Sequence, residues 1–184
     1  MLNISNSGLK LIKHFEQCRL EVYADTNGFP TVGWGHLVLV NDKLKLGDKI
    51  TQEKADQLFK SDLLMTQKKI SPAFETLPQN KIDTLTSLAF NLTTESFNTL
   101  QRYLKSSEEL FKDKMLLYCK DSSGHTLRGL KRRRICERLQ FENKEWYEID
   151  KKLQAMSIEE MDANKIDLQK YFADIEARGL ENIV

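Results

Sequence analysis

The sequence is sparing with several features that would each point to a particular class of protein. It has three cysteines, three prolines and three histidines in 184 residues, and its formal net charge is only +1. Cys18, Cys119 and Cys136 are odd in number and lack metal-type spacing, which argues against a disulfide framework and against a zinc site. Free thiols suit a reducing compartment, and Cys18, two residues from Glu16, reads as a small buried thiol rather than a redox centre. No apolar run reaches the roughly 18 residues needed to cross a bilayer, so no membrane span is expected. The opening MLNISNSGLKLIKHF lacks a basic segment followed by an apolar one. No secretory leader is therefore read, and the protein is expected to stay in the cytoplasm of the cell that makes it.

A near-neutral chain offers little electrostatic reason to bind nucleic acid. The run from Lys131 to Arg134 could track phosphates along a helix, but it is short and Glu137 stands four residues after Arg133. That spacing reads better as a salt-bridged helix face, and no nucleic-acid partner is expected. The overall balance conceals an asymmetry: 22 basic and 16 acidic residues up to Phe141, about +6, against 6 and 11 from Glu142 onward, about −5. A basic leading part suits an anionic polymer such as a bacterial wall. With 40% hydrophobic and 30% charged residues, the chain can form one domain with a real core and an appendage. The division expected is residues 1–141 and an acidic helical extension at 142–184.

What is present centres on His14 to His36, HFEQCRLEVYADTNGFPTVGWGH, which reads as a helix end, a strand, a turn and a second strand. Ser5 or Ser7 can cap a helix that carries Leu9, Ile12 and Glu16 at i, i+3 and i+7. Glu16 thus falls on the buried stripe and at the negative end of the macrodipole. Both disfavour the carboxylate, and a carboxyl that keeps its proton near neutral pH is a general acid. Asp25 sits in Asp-Thr-Asn-Gly, a polar turn with backbone donors nearby that favour the ionised form. Two carboxyls in opposite environments are the pattern of glycoside hydrolysis. On spacing alone, the favoured reading of Glu16, Asp25 and Thr31 is a helix-capped hairpin with solvated carboxylates.

The surrounding residues add to this. FEQCRLEVYAD and TNGFPTVGWGH resemble the active-site segment of the phage-type lysozymes, the endolysins and muramidases, in which Glu-x8-Asp-x5-Thr is followed by Gly-x-Gly-His. SLAFNL, Ser87 to Leu92, is similar to the family's central helix, with Thr93 where glycine is usual; GLKRRRICERLQF, Gly129 to Phe141, is similar to its closing helix. The resemblance covers residues 5–141. It implies an α+β, mainly α, lysozyme-like fold with a small β lobe at about residues 17–47, a larger helical lobe and a cleft between them. It implies a monomer, without metal or cofactor, that hydrolyses the β-1,4 bond between N-acetylmuramic acid and N-acetylglucosamine in peptidoglycan glycan strands. Glu16 would protonate the leaving oxygen, Asp25 and Thr31 would act on the far side of the sugar, and Leu37 and Phe90 would line the cleft. The competing expectation is a lysozyme-like module that binds wall glycan or a protein without cutting; intact Glu16, Asp25 and Thr31 argue against it. A phage endolysin and a delivered antibacterial effector would share all these residues.

Along the chain, strands are expected at Arg19 to Ala24 and Thr31 to Val40. A five-residue loop from Thr26 to Pro30 would set Asp25 opposite Thr31. Trp34 reads as core. Helices are expected from Gln52 to Ile70 behind Thr51, from Gln79 through Leu92, and from the Ser106-x-x-Glu109 capping box to Tyr118. A basic helix follows from Leu130. Asp62 falls on the apolar face of its helix and is expected to pair with His36. In the extension, Trp146, Ile149, Leu153 and Met156 keep helical spacing, and a helix opened by Ser157-x-x-Glu160 carries Met161, Leu168, Phe172 and Ile175. The extension is expected either to pack on the helical lobe or to meet a delivery or inhibitor partner, and to be dispensable for bond cleavage.

Overall fold

A computed structural model describes residues 3–25, 28–121 and 123–163. Helix α1 (Asn6–Glu16) opens at Ser5, whose hydroxyl accepts the Gly8 N–H at 3.3 Å and donates to the Asp83 carboxylate at 2.5 Å. Asp83 belongs to α3 (Gln79–Asn91) and is buried there, so one side chain ties the start of α1 to the middle of the molecule. The two helices approach so closely that a Cβ on Gly8 would lie 2.7 Å from the Asp83 carboxyl carbon. At its other end α1 stops because Gln17 turns to φ 54°, which swings the chain from helix into sheet and leaves Glu16 on the last turn.

The sheet is antiparallel, in the order β1 (Arg19–Ala24), β2 (Pro30–Gly33) and β3 (His36–Leu37). Its register differs from the one expected: Tyr23 pairs with Thr31 and Ala24 with Pro30. The partner of Thr31 lies two residues earlier than expected because Asp25 N–H donates to the Phe29 carbonyl and Phe29 N–H donates to Asp25 Oδ1, both at 2.8 Å. Pro30 lies in the strand rather than the loop; it has no donor to offer, and its carbonyl accepts Val38 N–H at 2.8 Å. The single strand expected over Thr31 to Val40 is broken at Trp34 by a tight turn between Gly33 (φ 65°) and Gly35 (φ 84°), and residues Val40–Asp42 form a short 3-10 turn. Nor does the sheet end at Gly47, since Gly47 and Asp48 exchange hydrogen bonds with Val22 and Ile50 N–H donates to Leu20.

Helix α2 (Gln52–Gln67) is capped by the Thr51 hydroxyl, as expected, but stops three residues before Ile70. Its Leu58 joins Val22 and Val32 under the sheet, while Phe59 and Leu63 join Ile12 of α1. The helical lobe is built on α3, where Leu85, Leu88 and Ala89 meet Phe97, Leu100, Phe111, Met115 and Phe141. These come from α4 (Thr94–Ser106), α5 (Glu108–Met115) and α6 (Arg128–Phe141). Thr93, which stands where the resemblance leads one to expect glycine, caps α4 by accepting Ser96 N–H at 3.2 Å. The expected capping box at Ser106 is not used: Ser106 is the last residue of α4, and Ser107 caps α5.

Beyond Phe141 come α7 (Tyr147–Leu153) and α8 (Ile158–Ala163). Trp146, Ile149, Leu153 and Met161 are buried in one cluster with Leu11 of α1 and Ile135, Cys136 and Leu139 of α6. The capping box at the start of α8 is formed, with Glu160 N–H donating to Ser157 Oγ at 3.1 Å and Ser157 N–H to Glu160 Oε2 at 2.7 Å. Leu168, Phe172 and Ile175, the expected continuation of that stripe, lie outside the described residues. No helix among the described residues is long and apolar enough to cross a membrane.

Candidate active site

Glu16 closes α1 beside a cavity of about 570 Å³, whose wall also includes His14, Gln17, Asn91, Arg132, Arg133 and Gln154. Sequence reasoning placed Glu16 on a buried stripe, and its side chain is 17% exposed. Sequence reasoning missed the cation against it. Arg133 Nη1 donates to Glu16 Oε1 at 2.6 Å, across 117 positions of sequence. On the other side of the carboxyl, a Cβ on Gly35 would lie 2.9 Å from Oε2. Glycine there lets the turn between β2 and β3 press its backbone against the acid, and its φ of 84° suits glycine as well.

Arg133 is itself held from behind. Its Nε donates to Glu137 Oε1 at 3.1 Å, and Glu137 also takes the Ser87 hydroxyl at 2.6 Å and Arg134 Nη2 at 3.0 Å. Arg134 passes a further bond to Asn91 Oδ1 at 2.9 Å. Glu137 and Arg134 are wholly buried. Burial opposes the Arg133 charge, but Glu16 and Glu137 outweigh it and hold that pKa above the ordinary arginine value. Burial dominates at Arg134 and lowers its pKa, with Glu137 offsetting only part. The run expected to be a salt-bridged helix face is one, with Arg133 on Glu137, and its last two arginines are interior. Each of its cations meets a carboxylate, Lys131 with Asp162, Arg132 with Asp150, Arg133 with Glu16 and Glu137, and Arg134 with Glu137, which leaves none of the four without an acidic neighbour.

Asp25 sits at the mouth of the β1–β2 loop, its Oδ1 engaged by Phe29 N–H. Thr31 is buried on β2, and its hydroxyl donates to the Phe29 carbonyl at 3.2 Å. Neither lines the cavity beside Glu16; nor do Leu37, exposed on β3, and Phe90, whose ring packs at 5.6 Å against Phe59. Trp34 is structural, as expected: its indole N–H donates to Asp56 at 2.8 Å and its ring meets Phe59 and the Lys13 ammonium. The expected contact between His36 and Asp62 is formed, with Nδ1 2.9 Å from Oδ2. The structure adds Asp42, whose Oδ2 lies 3.1 Å from Nε2. The bond to Asp62 raises the His36 pKa against the opposing effect of burial, and Asp42 raises it further. At Asp42 burial pushes upward, but Leu39 N–H and His36 more than offset it and leave the carboxyl below its ordinary value.

A mainly helical fold with a small antiparallel sheet, and a glutamate at the end of its first helix facing a cavity, defines a lysozyme-type glycoside hydrolase. Residues 13–137 match the family model described as phage lysozyme. The endolysin of Salmonella phage P22 is 38% identical over 99 residues, which cover 53% of this chain and 68% of that one. Among solved structures, the endolysin of Escherichia coli O157:H7 phage FAHEc1 aligns with a TM-score of 0.66 at 30% identity, over 76% of this chain and 93% of that one. The muramidase domain of SpmX from Asticaccaulis excentricus aligns with a TM-score of 0.65 at 28% identity, over 77% and 98% of the respective chains. This chain belongs to the phage lysozyme family. It is a glycoside hydrolase that degrades peptidoglycan.

Proposed function

We propose that the bond cut is the β-1,4 linkage between N-acetylmuramic acid and N-acetylglucosamine, with Glu16 as the general acid that protonates the leaving oxygen. The observation that carries this reading is the Glu16 carboxyl itself, fixed at the cavity wall by Arg133 on one oxygen and confined by the Gly35 backbone beside the other. A carboxyl so held needs no reorganisation before proton transfer, which favours general acid catalysis. Asp25 and Thr31 act on the opposite face of the sugar. The Thr31 hydroxyl spends its proton on the Phe29 carbonyl, which leaves its lone pairs for a water that Asp25 can deprotonate. Leu37 and Phe90 border the glycan on the sheet and helix sides. The protein acts as a monomer, without metal or cofactor, and is held in the producing cytoplasm until it reaches the wall as a phage endolysin or a delivered antibacterial effector.

Digesting purified peptidoglycan, reducing the new ends with borohydride and identifying them by mass spectrometry tests this reading. Reduced muramic acid ends are expected. Reduced glucosamine ends would assign the other glycosidic bond, and anhydro-muramic ends would show that no water is added; either overturns it.

A further inference from the structure

The C-terminal extension reaches the wall of the cavity that holds Glu16. Its Asp150, on α7, is wholly buried and saturated with donors. Oδ1 accepts Arg132 Nε at 2.9 Å, and Oδ2 accepts Arg132 Nη2 at 2.6 Å and Gln154 Nε2 at 2.9 Å. His14 Nε2 lies 2.8 Å from Oδ2, with its ring enclosed by Phe15, Trp146 and Tyr147. Arg132, His14 and Gln154 line the same cavity as Glu16. The extension further grips the start of α6 by taking Arg128 onto the Gln154 and Met156 carbonyls and Lys131 onto Asp162.

We propose that Asp150 is a positioning residue for the reaction, which holds Arg132 and His14 against the extension so that, among the described residues, Arg133 is the one cation on the acid. This rests on Glu16 being the general acid. Among the described residues, the titratable and charged groups around Glu16 are His14 from its own helix, Arg132 and Arg133 from α6 with Glu137 and Arg134 behind them, and Asp150 beyond Arg132; the turn at Gly35 and Asn91 of α3 contribute none. Within that set Asp150 is the carboxylate in contact with the Arg132 guanidinium among the described residues. Freed from Asp150, the long Arg132 side chain has Glu16 as the carboxyl on the same cavity wall. A second cation there opposes protonation of the acid, and an acid that cannot hold its proton cannot give it to the leaving oxygen. A role for part of the extension in setting the charge at the site runs against the expectation that the extension is dispensable for cleavage.

The test is the pH profile of kcat/KM on peptidoglycan, with the titration of the Glu16 13Cδ resonance followed by NMR in the same proteins, a readout that needs no substrate. In Asp150→Asn both should move to lower pH by about one unit. Arg132→Gln in the Asp150→Asn background should bring both back. Arg132→Gln alone, which leaves the Asp150 charge unopposed, should move both the other way. A folded Asp150→Asn variant with an unmoved Glu16 titration overturns the proposal, as does a shift that Arg132→Gln does not reverse. If Asp150→Asn does not fold, an unmoved titration in Arg132→Gln alone overturns it equally. Wild-type activity equal to that of Glu16→Gln would instead overturn the acid role, and the NMR titrations would still decide the electrostatic claim.

Discussion

His36 should stabilise the fold in a defined pH window, through its two carboxylates. Both ring nitrogens face a carboxylate oxygen, Nδ1 toward Asp62 and Nε2 toward Asp42. A neutral imidazole has one N–H, so both bonds are made only by the imidazolium. The folded His36 pKa is raised above 6.5, so its contribution is complete below pH 6.5 and disappears as pH rises through the folded value. The folded Asp42 pKa is lowered below 3.8, so its contribution is complete above pH 3.8 and disappears as pH falls through the folded value. Stabilisation by the cluster therefore peaks between about pH 4 and 6.5. The His36 side chain is 8% exposed, Asp42 16% and Asp62 29%, so the cluster is covered but not dry. Removing one member should cost about 2 to 3 kcal/mol, below the range for fully buried pairs. A double-mutant cycle of His36→Asn and Asp62→Asn, read by urea denaturation, should give a coupling of about 2 kcal/mol at pH 5.5 and well under about 1 kcal/mol at pH 9. Additive effects at both pH values, or equal coupling at both, would refute the reasoning.

Glu137→Gln should lower stability by about 4 kcal/mol and the melting temperature by roughly 10 °C, because it leaves the buried Arg133 and Arg134 charges without their shared partner. A calorimetric loss below about 1 kcal/mol would contradict this assignment. Gly8→Ala should destabilise by about 1 to 3 kcal/mol even though alanine favours helix, since its Cβ would meet Asp83 at 2.7 Å. Denaturation midpoints of that variant check the sign, and a stabilised variant would show that α1 and α3 can part at no cost.

Most helices, the first strand and the place of Glu16 on its helix are readable because local rules govern them: Ser5 and Thr51 cap where a hydroxyl precedes an apolar stripe, and Glu16 follows Leu9 and Ile12 by helical spacing. The β1–β2 register differs from the expected one by two residues because the Asp25 side chain and Phe29 backbone close the loop, a choice that composition does not reveal. The break of the second strand at Gly33-Trp34-Gly35 is not apparent from the apolar pattern of Thr31 to Val40, because it rests on the positive φ of the two glycines. Arg133 pairs with Glu137 four residues on, as its spacing suggests, but its contact with Glu16 spans 117 positions and no local pattern reveals it. Asp42 and Asp150 were missed for the same reason. Each lies on an element whose own pattern is ordinary, and the partner that gives it meaning comes from another part of the fold.

The most direct test of the account is the activity of Glu16→Gln on purified peptidoglycan beside the wild type, with unfolding midpoints recorded on the same samples. Glutamine keeps an oxygen for Arg133 to bond, and Arg133 keeps Glu137, so the midpoint should be unchanged or higher. Turnover should fall by at least about a hundredfold, the contribution expected of a positioned general acid. A folded Glu16→Gln protein that lyses the wall at close to the wild-type rate would contradict the mechanism.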